Sequence, residues 1–130
     1  MGLPHPLKDP SERLFDAVAI GVVHATTSAE VIQEFAHIRA RRFPRAEAVG
    51  AARRFARLLS PLLTADEDSL ERGLSIYERT PGLGSFDAVL AATAIANGAR
   101  ALVSADAGFA SIPELRHVVP GAREFDRLLA

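Results

Sequence analysis

The stretch SFDAVLAATAIANGARALVSADAGF, residues 85 to 109, limits the fold more than any other part of the chain. From Ala88 to Ala99 it carries no charged side chain, and alanines recur at positions 88, 91, 92, 94 and 96. A helix so apolar calls for burial, and its small side chains allow close approach to a sheet. The run is too short to cross a bilayer, which takes about 20 residues. Two acids bracket the segment, Asp87 at its start and Asp106 near its end. A carboxylate beside apolar surface is costly to desolvate without compensation, so these two either cap solvated ends or hold a cation.

The remainder of the chain reads as one soluble domain. Its 130 residues are enough for a single core, and 48% hydrophobic with 24% charged content is globular rather than disordered. There is no cysteine, which excludes disulfides and thiolate chemistry and fits a reducing cytoplasm. The opening MGLPHPLKDP has neither the basic region nor the apolar core of an export signal, so a cytoplasmic, membrane-free protein is expected. The net charge of −1 conceals segregation: between His37 and Arg57 stand Arg39, Arg41, Arg42, Arg45, Arg53, Arg54 and Arg57 against Glu47 alone. Clustered arginine suits a phosphate backbone or an acidic partner, and equally suits a solvated helical face.

Punctuation residues divide the chain into alternating elements. Asp9 and Pro10 predict a helix over residues 10–20, stopped by Gly21. VVHATT predicts a strand, and Thr27 or Ser28 then caps a helix to about Arg42, with Thr27 and Glu30 at capping-box spacing. Val31, Phe35 and Ile38 form its apolar stripe. Pro44 opens a helix with Val49, Ala52, Phe55, Ala56 and Leu59 inward, and PLLTA is a short strand. Asp66 caps a helix to about Arg79, TPGLG is a turn, and Ser85 caps the alanine-rich helix, which Gly98 ends. ARALVS and RHVV are strands around an ASIPEL loop, and GAREFDRLLA is a terminal helix. Short apolar strands alternating with helices predict an α/β fold, a short parallel sheet flanked by helices.

Ligands in such sheets sit outside the carboxyl ends of strands, where Asp106 follows ALV. Asp87 lies in the first turn of the preceding helix, and chain reversal brings both acids to the same edge of the sheet. Glu34 sits about 80° from the centre of its helix's apolar stripe, at the shoulder of the buried face, and has no local capping role. Converging carboxylates repel, and a hard divalent cation relieves that repulsion. Taken singly, each acid is also explained as a cap, a turn or an amphipathic edge. No phosphate loop or nucleophile elbow is present, and His5, His24, His37 and His117 lack metal-ligand spacing.

TTSAEVIQEFAHIRARR and GSFDAVLAATAIANGARALVSADAGFASI closely resemble the PIN-domain family, in particular the VapC-type toxins of bacterial toxin–antitoxin pairs. The resemblance implies a three-layer α/β fold over residues 1–130 and divalent-metal-dependent endoribonuclease activity. It places metal-ligand acids at Glu34, Asp87 and Asp106, with Mg²⁺ or Mn²⁺ between them and the hydroxyl of Ser104 nearby. RNA as substrate, held in part by Arg39, Arg41, Arg42 and Arg45, is implied too, as are a small VapB-like antitoxin, a homodimer and a cytoplasmic location. Two positions depart from the family pattern. No Asp-Thr-Asn motif from a first central strand occurs, and MGLPHPLKDP resembles the segment after that strand, so the domain reads as incomplete at its N-terminus. A further acid common two residues after the post-strand aspartate is replaced by Gly108. The alternative expectation is a catalytically incomplete remnant that keeps antitoxin-binding or dimerisation surfaces.

Overall fold

A computed structural model describes residues 8–130. His5 and most of the opening segment lie outside them. The helices are α1 Lys8–Ala19, α2 Ala29–Arg39, α3 Arg45–Leu59, α4 Glu67–Arg79, α5 Ser85–Ala96 and α6 Arg123–Leu129, and the strands are β1 Leu102–Val103 and β2 His117–Val118. A 3₁₀ turn, Ala107–Ser111, lies between the strands. The expected α/β organisation is present, with far less strand than expected. Among the described residues no helix is long and apolar enough to cross a membrane.

Local chemistry explains the shortened strands. Gly21, at φ +83°, turns the chain after α1. The N–H groups of Val22 and Val23 then fold back onto the Ala17 carbonyl, at 3.0 and 3.3 Å. These bonds satisfy the open end of α1 and take Val22 and Val23 out of any ladder. Only Ser28 pairs, through a single parallel bridge to Leu63, the remnant of the expected PLLTA strand. Among the described residues, parallel pairing is continuous only between β1 and β2, with Leu102 opposite His117 and Val103 opposite Val118. Among the described residues no strand precedes α2.

Several helix ends also depart from expectation. α1 is already helical at Lys8, the first described residue, so Asp9 lies inside the helix rather than capping it. Ser28, not Thr27, caps α2 by accepting from Val31 N at 3.1 Å. Glu30 closes no capping box and instead accepts from Ala65 N at 2.8 Å. α2 ends at Arg39, with the chain turning through Arg41 and Arg42. Asp66 caps α4 as expected, from Ser69 N at 2.8 Å. Gly84 rather than Ser85 is the N-cap of α5, and Gly98, at φ +71°, ends that helix as expected.

The packing falls into two regions. Ile76, Leu83, Ala88, Ala91, Ala92, Phe109, Ile112 and Leu115 form one core between α4, α5 and the 3₁₀ turn, with Leu102 of β1 packed against it. α4 and α5 approach closely enough that a Cβ on Gly73 would lie 2.6 Å from the Val89 Cα. The other region joins α1, α2 and α3 through Phe15, Phe35 and Phe55, with ring centroids 5.2 and 4.9 Å apart. Here the expected apolar stripe is only partly covered: Ile38 is 52% exposed, and Val49, expected inward on α3, is 41% exposed.

Candidate functional site

Each acid is held by a different element. Thr80 begins the turn into α5, its carbonyl accepting from Leu83 N at 3.0 Å. Leu83 anchors that turn in the core at 3% exposure, and Gly84 then starts α5 without a side-chain cap. Asp87 therefore sits in a first turn whose N–H groups favour nearby negative charge. Asp106 leaves β1 by a tighter device. Its N–H donates to Ser104 Oγ at 3.0 Å, and its Oδ1 accepts from Gly108 N at 2.8 Å. Glu34 projects from an exposed position on α2, whose start is set by the buried Ser28 cap.

The electrostatics link the three. Burial raises the Asp87 carboxyl pKa above its ordinary value, and the charges of Asp106 and then Glu34 raise it further. Repulsion acts over many ångströms, whereas ligand bonds to a hard cation span roughly 2.0–2.6 Å. The acids meet the first condition. For the second, among the described residues no group of three His, Cys, Asp or Glu side chains is close enough to hold an ion. The donor chemistry, three hard carboxylates with uncompensated repulsion on Asp87, fits a divalent cation, and the spacing is open rather than closed.

The arginines divide by availability. Arg39 is committed to Glu47 across the α2–α3 turn, with Nε 3.0 and 2.9 Å from the two carboxylate oxygens. Its guanidinium also lies 4.5 Å from the Phe43 ring centroid. The Arg39 hydrogen bonds hold the Glu47 carboxyl below its usual pKa. Arg41 approaches His37 at 3.4 Å, while Arg42 and Arg45 are exposed.

Two contributors are not apparent in the sequence. His117, noted in the sequence only for lacking metal-ligand spacing, donates from Nε2 to the Ser104 carbonyl at 2.7 Å. Gly108, expected to matter only for lacking an acid, has no room for one: a Cβ would lie 2.8 Å from the Gly82 carbonyl oxygen and 3.1 Å from Leu83 Cδ1. The signal for His117 was its place in the strand beside β1, which becomes informative only once the register is known.

The PIN domain family matches this sequence over residues 3–115. The chain belongs to the PIN-domain family. Within that family it is similar to Ribonuclease VapC7 of Mycobacterium tuberculosis (strain ATCC 25618 / H37Rv), at 47% identity over 132 residues. The alignment covers 98% of this chain and 89% of that protein. No solved structure gives a significant match. Membership accounts for the α/β architecture with its short parallel sheet, which the resemblance in the two quoted motifs implied.

Proposed function

We propose that this chain is a single-domain ribonuclease of the VapC type, the toxin of a toxin–antitoxin pair, which hydrolyses RNA phosphodiester bonds with a divalent metal ion. What supports the proposal is that Asp87 opens α5 partly buried and within reach of the charges of Asp106, at the β1 exit, and Glu34, on α2, so that its pKa is raised by burial first and by those two acids second. Near full-length similarity to a protein named as a ribonuclease supports it.

In this mechanism Asp87 and Asp106 would hold Mg²⁺ or Mn²⁺, and Glu34 would hold the ion or orient the attacking water. When bound, the ion polarises the scissile phosphate and lowers the pKa of a water. Asp106 enters the site with one oxygen already fixed by Gly108 N, so little rotamer freedom is left to lose. Ser104 supports that geometry from behind. Exposed Arg41, Arg42 and Arg45 are suited to holding phosphates, which position a strand without reading its bases; Arg39, paired with Glu47, is the least available of the four. A VapB-like antitoxin, a homodimer and a cytoplasmic setting complete the proposal.

The open spacing of the acids favours one second reading, a catalytically incomplete domain that retains antitoxin-binding or dimerisation surfaces. Labelled RNA incubated with the protein in Mg²⁺, Mn²⁺ or EDTA separates the two. Metal-dependent cleavage is expected, with a loss of more than about 100-fold in Asp87→Asn, since even residues behind the ligands cost roughly 10–100-fold. Absence of cleavage under every metal condition gives the second reading the lead.

A further inference from the structure

β1 is two residues long, and its end creates a specific deficit. The parallel ladder supplies Leu102 N to the Arg116 carbonyl at 2.9 Å and Ser104 N to the Val118 carbonyl at 3.1 Å. Beyond that rung the Ser104 carbonyl has left the ladder. His117, on the neighbouring strand, takes it with an Nε2–H bond of 2.7 Å. The ring is backed by Phe109, 6.0 Å away between centroids and 2% exposed.

From Ser104 the contacts continue into the candidate site. Its Oγ receives the Asp106 N–H, and Asp106 Oδ1 receives the Gly108 N–H. Gly108 in turn lies against Gly82 and Leu83, in the turn that leads directly into the first turn of α5 and Asp87. One continuous set of contacts therefore runs from His117 through Ser104, Asp106 and Gly108 to the start of the helix that bears Asp87.

The geometry points to His117 as the positioning residue of this site: by holding the Ser104 carbonyl, it aims the Asp106 carboxylate toward Asp87. As a statement about catalysis it rests on the nuclease proposal above; as a statement about structure it does not. Neutral imidazole protonated at Nε2 and imidazolium both donate this bond, so the role needs no change of charge. Only a donor of similar reach can replace it. Glutamine carries such a donor in its side-chain amide, and phenylalanine fills the space without one.

The test compares wild type, His117→Gln, His117→Phe and Ser104→Ala. Amide hydrogen exchange at Asp106 and Gly108 is read in metal-free protein, and the dissociation constant of Mn²⁺ alone by calorimetry. His117→Phe is expected to speed exchange at both amides by roughly five- to tenfold, the scale of one lost hydrogen bond. It is also expected to weaken Mn²⁺ by about 10–100-fold. His117→Gln should restore both. A purely structural role would lower the melting temperature of His117→Phe and leave the Mn²⁺ constant of the folded protein unchanged, and that result overturns the inference. If His117→Phe does not fold, Ser104→Ala decides, because it breaks the next bond in the series from a loop position. Faster Gly108 exchange there supports the inference, and unchanged exchange overturns it. Wild type that neither binds Mn²⁺ nor cuts RNA removes the nuclease proposal, while the exchange data still judge the placement of Asp106.

Discussion

The α4–α5 half and the α1–α3 half are both helical and both bury alanines, Ala48, Ala51 and Ala52 on α3 among them, yet they cover their helices differently. In the first, Ala88, Ala91 and Ala92 are at most 1% exposed, and Gly73 lets α4 lie directly on Val89. In the second, α2 contains no buried residue and meets α3 through Phe35 edge-on to Phe55, at 4.9 Å between centroids, and through the Arg39–Glu47 pair. Small side chains permit close backbone approach and leave few voids; large rings bridge wider gaps and leave apolar edges in solvent. The candidate site straddles this divide. Asp87 and Asp106 belong to the tightly packed half, and Glu34 to the loosely packed one. Adjustment of the acids around an ion is therefore expected from Glu34 and α2, with Asp87 and Asp106 as the fixed reference.

The largest stability effect tests that contrast directly. Gly73→Ala places a methyl group 2.6 Å from the Val89 Cα, where backbone, not a flexible side-chain end, has to move. Overpacking of this kind costs about 1–3 kcal/mol. Ile38→Ala on α2 is the larger chemical change but falls at a site 52% exposed, and is expected to stay within about 0.5 kcal/mol. Urea unfolding of both variants measures the difference. If the two costs are equal, the halves are not packed differently and the contrast fails.

A middle-sized effect belongs to the start of α2. Ser28 is 3% exposed, caps α2 through Val31 N, and makes the bridge to Leu63. Ser28→Ala is expected to cost about 1 kcal/mol, the usual value of a lost N-cap. Exchange of α2 amides should rise more than that of α5 amides, since local opening draws on the weaker unit. Equal acceleration in both helices would mean that α2 does not open separately.

These contrasts also separate what periodicity reports from what it does not. The stripe of Val31, Phe35 and Ile38 correctly marks the apolar face of α2, but a stripe carries no information on whether another element covers it. Likewise VVHATT has strand composition, yet Gly21 allows Val22 and Val23 to close the end of α1, and one such local bond set outweighs propensity. Asp66, Gly98 and the TPGLG turn were readable because caps and turns are short-range chemistry. Chain reversal across α5 predicts Asp87 and Asp106 on one edge of the sheet, and the charge of Asp106 reaches Asp87, adding to the effect of burial on its pKa. His117 and the Gly108 contact depend on register and on packing between segments far apart in sequence, and neither leaves a local pattern.

The smallest effect, and the one that joins stability to function, concerns Asp87 alone. Its folded-state pKa lies above the ordinary aspartate value of 3.8, from burial first and from Asp106 and Glu34 second. Well below that ordinary value the group is protonated in both folded and unfolded chains and imposes no cost. As pH rises through the folded-state value, the folded protein must release a proton that it holds more tightly than the unfolded chain does, so stability is lost and stays lost at neutral pH. Asparagine has no proton to release. Asp87→Asn is therefore expected to be more stable than wild type at pH 7, with the gap closing as pH falls toward 3.8. Because Asp87 keeps partial access to solvent, the gap should be the least of the three. Urea unfolding at several pH values measures it, and a variant less stable than wild type at neutral pH would remove the repulsion on which the candidate site rests. Added Mg²⁺ should raise the stability of wild type and leave Asp87→Asn unmoved, since an ion that binds the folded state stabilises only the protein able to hold it. The substitution expected to end cleavage is thus also expected to stabilise the metal-free fold, the pattern expected when like charges are gathered for a ligand rather than for the fold itself.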